Sequence, residues 1–166
     1  MNLSKYLTLE IATESATALR LNIDNTPNEE QLQCLKDWGV NVYDKIAGKY
    51  PRLQRNSIFR CKALNEAIGG SLTSQHMKGQ AGDLKLASRK ENVALFKWII
   101  DNIHFDQLIA EFPNNDGPAW CHVSWNDKMK NRDQILIASG VQTGRGATYV
   151  PFTGKEIWYK MDIVAK

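Results

Sequence analysis

The sequence predicts a single domain, residues 1–166, in which helices and strands are mixed. Three observations carry this. Two long segments place apolar residues at helical spacing, several apolar runs are of strand length, and two of those runs are joined by a loop as a hairpin. No repeat, low-complexity tract or linker divides the chain. With 166 residues, 43% hydrophobic and 23% charged, it can bury one real core and has an ordinary globular composition.

The elements follow in order. Thr8 is a candidate N-cap for a short helix with Glu10 in its first turn, fading near residues 16–18, and Asn22-Ile23-Asp24-Asn25 reads as a turn. Thr26-Pro27-Asn28-Glu29 reads as a helix start, with Thr26 as cap, Pro27 in the first position and Glu29 closing a capping box. That helix is expected to reach about Lys49, with Leu32, Leu35, Val42, Tyr43 and Ile46 as its core stripe and Gly39 weakening its middle. Tyr50-Pro51 ends it. A short strand over 53–59 leads to Arg60, and a helix from Cys61 buries Ala63, Leu64, Ala67 and Ile68 before Gly69-Gly70 stops it. A loop over 71–79 precedes a strand over 81–86. Ser88 through Glu91 forms a second capping box, opening a helix over 89–103 that is apolar enough to lie across a sheet. Strands over 105–112 and 120–125 flank Pro113-Asn114-Asn115-Asp116-Gly117-Pro118. A strand resumes at 134–138, residues 139–154 read as loop, and 156–161 as a last strand or edge.

Several function classes are excluded at this level. The net charge of +3 is too small to argue for a nucleic-acid partner. Three cysteines, Cys34, Cys61 and Cys121, form no C-x-x-C pair, so neither a cysteine metal site nor a redox motif is indicated and a reducing compartment is expected. No stretch is long and apolar enough for a transmembrane segment. Met1 to Tyr6 leads into no signal-peptide core. The chain is therefore expected to be made in the cytoplasm, as a monomer.

The chemistry-bearing residues cluster. His76 and Asp83 stand seven residues apart, and His122 follows inside the short run from Trp120 to Trp125. Two histidines and one carboxylate are a standard set of protein ligands for catalytic zinc, leaving a fourth position open. On a strand over 81–86, Asp83 sits between apolar neighbours, a poor place for an unpaired carboxylate and a good one for a ligand. Cys121 would point to the strand face opposite His122 and is not counted as a ligand.

Ser74-x-His76-x-x-Gly79-x-Ala81-x-Asp83, followed by Trp120-x-His122-x-Ser124, resembles the zinc D-alanyl-D-alanine carboxypeptidase family. That family includes phage L-alanyl-D-glutamate endopeptidases and shares its fold with the hedgehog signalling domain. The chain most resembles short phage-type or mobile-element members, with supporting likeness at Thr8-Leu9-Glu10, Asn25-Thr26-Pro27, Arg60-Cys61, Leu64-Asn65, Gly69-Gly70-Ser71 and Phe105 through Ile109. The resemblance implies an α+β fold, a small, mainly antiparallel sheet with helices on one side. It implies Zn2+ held by His76, Asp83 and His122, a substrate-orienting Arg60, and hydrolysis of peptide bonds in peptidoglycan stem peptides or their precursors, at the bacterial cell wall if the protein is released or delivered there.

Many family members carry an acid three residues before the last histidine ligand; here that position is Ala119. Two residues are candidates for the missing base: Glu111, which can lie across the hairpin near His122, and Asp116, in the hairpin loop six residues before His122. Ser74 is expected to make local hydrogen bonds, and Trp120 to pack or line the substrate groove. The leading expectation is a peptidoglycan-cleaving endolysin-like or mobile-element wall hydrolase. The alternatives are a D,D-carboxypeptidase or dipeptidase acting on wall precursors, and a zinc-stabilised binding domain without turnover.

Overall fold

Short polar side chains decide where the helices of this chain begin. The structure, a computed structural model, describes residues 1–126, 128–140 and 146–160. The first helix, α1 (Leu9–Thr13), opens at Thr8, whose hydroxyl accepts the Ile11 N–H at 3.3 Å. The chain does not fade after it: Ser15 accepts from the Ala18 N–H at 3.2 Å and starts α2 (Ala16–Leu21), which ends on Asn22 in the left-handed conformation. The third helix, α3 (Glu29–Trp38), is capped by Asn28 rather than Thr26. The Thr26 hydroxyl is already spent on Asp24 Oδ1, at 2.6 Å, while Asn28 and Gln31 exchange the two bonds of a capping box at 2.9 and 2.8 Å.

Helical structure then runs to Lys49 as expected, but the weak middle is a π turn over Gly39–Tyr43 leading into α4 (Asp44–Lys49). A Cβ at Gly39 would lie 2.8 Å from Ser4 Oγ, so the missing side chain lets the N-terminal loop lie against the turn. Asp44 fixes that loop by accepting from Ser4 Oγ and from the Lys5 and Tyr6 amides at 2.8–2.9 Å.

Six strands form one sheet: β1 (Gln54–Ser57), β2 (Ala81–Lys85), β3 (Gln107–Glu111), β4 (Trp120–Ser124), β5 (Gln134–Gly140) and β6 (Ala147–Pro151), in the order β1-β2-β4-β3-β5-β6. All neighbours are antiparallel except β3 and β5, so the expected α+β class with a mainly antiparallel sheet is observed. The β3–β4 pair is the expected hairpin, with Ile109 opposite His122 and Glu111 opposite Trp120.

The core lies on one side of the sheet, where Leu84, Leu108, Ala110, Cys121 and Val123 are fully buried. Trp38 of α3 covers this side and donates its indole N–H to Val123 O at 3.0 Å. The longest helix, α6 (Arg89–Asn102), starts at Ser88 and packs on β4, with Val93, Phe96 and Ile99 fully buried. Its Asn92, 1% exposed, accepts the Leu86 N–H at 2.6 Å and donates to Pro118 and Ala119 carbonyls at 3.0 and 2.9 Å. That side chain ties the helix to both β2 and the approach to β4.

Three further expectations are corrected. In α5 (Lys62–Ala67) the buried residues are Leu64 and Asn65, while Ala63 and Ala67 are exposed, because the short helix turns its polar asparagine inward to bond Ser71 O at 2.8 Å. The stretch read as loop over 139–154 contains the end of β5 and all of β6, which adds an edge strand by backbone pairing; residues 141–145 lie outside the described residues. Residues 157–160 form a turn rather than a strand. There Trp158 and Tyr159 join Phe152 in packing around Phe96, with ring centroids 5.4, 6.5 and 5.3 Å from it, and this aromatic burial outweighs extension along the edge. Met161, also assigned to that strand, lies outside the described residues. Among the described residues, no helix is long and apolar enough to cross a membrane.

Candidate metal centre and cleft

The side of the sheet away from the core is the floor of a cleft of about 740 Å³. Alternation along the strands decides what faces it. From β2 comes Asp83, from β3 Gln107, Ile109 and Glu111, and from β4 Trp120 and His122. The pairing of Asp83 with His122 in the β2–β4 register places two of the candidate ligands side by side. The third arrives from above. His76 sits on a 3-10 turn, Gln75–Lys78, which ends on Gly79 at φ +72°. A Cβ on Gly79 would lie 2.5 Å from Gln31 O, so the glycine serves both the left-handed turn and its close approach to α3.

The three ligand atoms converge. His76 Nε2 lies 3.2 Å from Asp83 Oδ1 and 3.2 Å from His122 Nδ1, and His122 Nδ1 lies 3.1 Å from Asp83 Oδ1. All three residues are buried, and their ligand atoms form a cluster that could hold a metal ion. The other nitrogen of His76, Nδ1, is 2.7 Å from Ile58 O. A backbone carbonyl only accepts, so Nδ1 carries the proton and Nε2 turns a lone pair toward Asp83. Burial lowers the His76 pKa to about 4, against the attraction of Asp83. A neutral imidazole lone pair and a carboxylate oxygen thus face each other at 3.2 Å with no proton to share. A cation between them relieves that repulsion, and the spacing matches the ~3.3 Å edge of a tetrahedron with zinc bonds of about 2.0–2.1 Å. The donor set fits zinc.

Arg60 flanks the centre, its Nη2 3.9 Å from Asp83 Oδ2, while its buried Nε has no partner among the described residues. Glu111 lines the same cleft. Burial first, then the Asp83 carboxylate, push its pKa up to about 7, against the pull of His122 and Arg60. The Trp120 ring lies 5.5 Å from that of Phe112, and the residue lines the cleft with an indole N–H that has no partner among the described residues. Ser74 lines the cleft too, where its carbonyl accepts the Met77 N–H at 3.2 Å. Asp116 is not brought to the site. It is exposed on the hairpin loop, 3.9 Å from Lys90 Nζ, because that loop turns back toward α6 instead of over the cleft. Cys121 lies on the core side, as expected, near Asn92 O at 3.8 Å.

Sequence reasoning missed the groups that surround His122 and the far wall. Gln75 Oε1 is 3.2 Å from His122 Nε2. Asp106 bonds Gln75, and Arg132 bonds Asp106. Tyr149 and Pro151 of β6, with Gln134 and Leu136 of β5, close the cleft on the side opposite β2. Gln75 adjoins a ligand in sequence and was within reach of a closer reading, whereas nothing in the sequence near 132 or 149 signals a part in the site.

A protein-family model described as Peptidase M15 matches residues 5–115. The matched span includes Arg60, His76, Asp83 and Glu111 and stops short of His122, which the β2–β4 register brings to the other two ligands. No curated protein matches the chain.

Proposed function

Since the chain belongs to the peptidase M15 family, we propose that it is a zinc-dependent peptidase that hydrolyses peptide bonds of bacterial peptidoglycan, in the manner of a phage endolysin or a mobile-element wall hydrolase. The observation that carries this reading is the convergence of His76, Asp83 and His122 at 3.1–3.2 Å on the floor of a cleft that also holds Glu111 and Arg60. When bound by these three residues, zinc supplies Lewis acidity, acidifying water and polarising a carbonyl.

The chain's own residues supply the rest. Glu111, on the cleft face of β3, is the general base: a carboxylate oxygen takes a proton from water as the hydroxyl adds to the acyl carbon, and returns a proton to the departing amine nitrogen. This role answers the absence of an acid at Ala119. Glu111 lies on β3 beside that position, its carbonyl accepting the Ala119 N–H at 2.8 Å. In the metal-free protein, burial and the nearby carboxylate raise its pKa to about 7. Arg60 presents a guanidinium to an anion, either a substrate carboxylate or the developing oxyanion. Trp120 and Phe112 form an apolar flank that shields one side of the cleft from water. A D,D-carboxypeptidase or dipeptidase acting on wall precursors uses the same groups; it differs in the bond presented to them.

The test is release of new amino groups from purified peptidoglycan, with and without chelator, and after zinc is restored. Release that chelator abolishes and zinc restores supports the reading, and the freed termini name the bond. A protein that binds one equivalent of zinc yet releases nothing from several wall types and from precursor peptides is a binding domain, and the proposal fails.

A further inference from the structure

His122 differs from His76 in how its outer nitrogen is held. Among the described residues its partner is not a backbone carbonyl but the side chain of Gln75, Oε1 to Nε2 at 3.2 Å. An amide can present either oxygen or nitrogen, so Gln75 alone would leave the imidazole free to carry its proton on either side. The other end of the amide removes that freedom. Gln75 Nε2 donates to Asp106 Oδ2 at 2.8 Å. Asp106 is 2% exposed, and Arg132 grips both its oxygens, Nε to Oδ1 at 2.8 Å and Nη2 to Oδ2 at 2.6 Å. The backbone on either side is tied down as well: the Asp106 N–H donates to Ser124 O at 2.8 Å, and the Gln134 N–H to Asp106 O at 3.1 Å.

We infer that Gln75, oriented by the Asp106–Arg132 pair, is a positioning residue that holds the proton of His122 on Nε2 and so turns the Nδ1 lone pair toward His76 Nε2 and Asp83 Oδ1. A carboxylate paired with a guanidinium is an acceptor only. It takes the amide NH2 of Gln75, which leaves the amide oxygen for His122, and an oxygen there accepts only from Nε2–H. The order of donors and acceptors is thus set from Arg132 inward and does not depend on which end of the amide is called nitrogen. With His76 fixed by Ile58 O, three lone pairs then meet at one point. Arg132, about half exposed, lies ten residues beyond His122, so the centre is aligned by a part of the chain that carries no ligand.

The inference rests on the metal reading above, and the experiment separates the two. Long-range proton–nitrogen NMR correlations of the metal-free protein report which imidazole nitrogen of His122 is protonated; zinc affinity is measured by competition with a chromophoric chelator, for the wild type and for Gln75→Leu. The expected result is Nε2–H in the wild type, both tautomers in Gln75→Leu, and a zinc affinity about 10–100-fold lower in the variant. A wild-type His122 protonated on Nδ1 overturns the inference, and so does a Gln75→Leu protein whose His122 signals and zinc affinity match the wild type. A wild type with Nε2–H on His122 that binds no zinc upholds the positioning role and refutes the metal reading instead. The wild-type spectrum needs no substitution, and Gln75 is only half-buried, so loss of fold in a variant does not decide the matter.

Discussion

Gly82 precedes the ligand Asp83 on β2, and its missing side chain is filled by Trp38. A Cβ built there lies 2.5 Å from both Cζ2 and Cη2 of that indole. Ordinary carbon contacts are about 3.5–4.0 Å, so Gly82→Ala forces a relative shift of roughly 1 Å. Trp38 has nowhere to go: it is fully buried, and its N–H is bonded to Val123 O on the next strand. Overpacking of this kind costs about 1–3 kcal/mol, and straining or losing the indole hydrogen bond adds about 1 kcal/mol. We therefore expect Gly82→Ala to destabilise the metal-free protein by about 2–4 kcal/mol, a fall in Tm of roughly 5–15 °C for a chain of this size. Gly48→Ala is the control. Gly48 is an exposed helical position whose added Cβ meets only Tyr6, at 3.7 Å, and this substitution should stabilise by about 0.5–1 kcal/mol. Thermal and urea unfolding of the two variants side by side measure the contrast, and zinc titration of Gly82→Ala should show weaker binding because Asp83 moves with its strand. A Gly82→Ala protein within 0.5 kcal/mol of the wild type would refute the claim that Trp38 locks the strand.

Other outcomes follow from the same geometry. Glu111→Gln removes the proposed base without touching a ligand; kcat on wall peptides should fall about 10²–10⁴-fold while zinc stoichiometry by elemental analysis stays unchanged, and a loss of less than threefold would exclude Glu111 as base. In the metal-free protein the Glu111 carboxyl, followed by its carbon-13 shift, should titrate near 7 and move downward when a divalent cation is added; a midpoint near 4.5 without metal would contradict its burial beside Asp83. Its folded-state pKa lies above the unfolded value, so its contribution to stability is complete below about pH 4.3 and is lost as pH rises through about 7, and urea midpoints across that window read the loss. Asn92→Leu strips partners from the buried Leu86 N–H and Pro118 carbonyl and from the part-buried Ala119 carbonyl; at about 1–3 kcal/mol for each of the two buried groups the loss should be roughly 2–6 kcal/mol in urea unfolding, and a loss below 1 kcal/mol would show that water replaces the side chain.

The convergence of His76, Asp83 and His122 was legible in the sequence because chemistry and spacing coincide there: His76 and Asp83 share one short segment, and His122 stands in a strand-like run whose alternation sets its face. The hairpin was legible because Pro113 to Pro118 separates two runs of strand length. Competition among neighbours hid other features. Thr26 looked like a helix cap until Asp24 claimed its hydroxyl, and Asn28, two residues on, took the role. The last strand was invisible because Ala147–Pro151 is an exposed edge, held by backbone pairing to β5 and carrying no buried alternation. Asp116 was plausible by spacing alone, and only the path of the hairpin loop, turned toward Lys90, takes it away from the cleft. Gln75, Asp106 and Arg132 are scattered in sequence, and only the folded register joins them.

The β5–β6 hairpin follows in the chain the last of the three proposed ligands, His122 on β4. Its inward residues, Gln134, Leu136, Tyr149 and Pro151, shape the cleft, while no ligand lies on it. Four cleft-lining positions thus lie on a stretch of chain separate from the three proposed metal ligands. On the proposed reading, variation confined to those four positions is expected to change which peptides the cleft accepts while the proposed ligands stay in place.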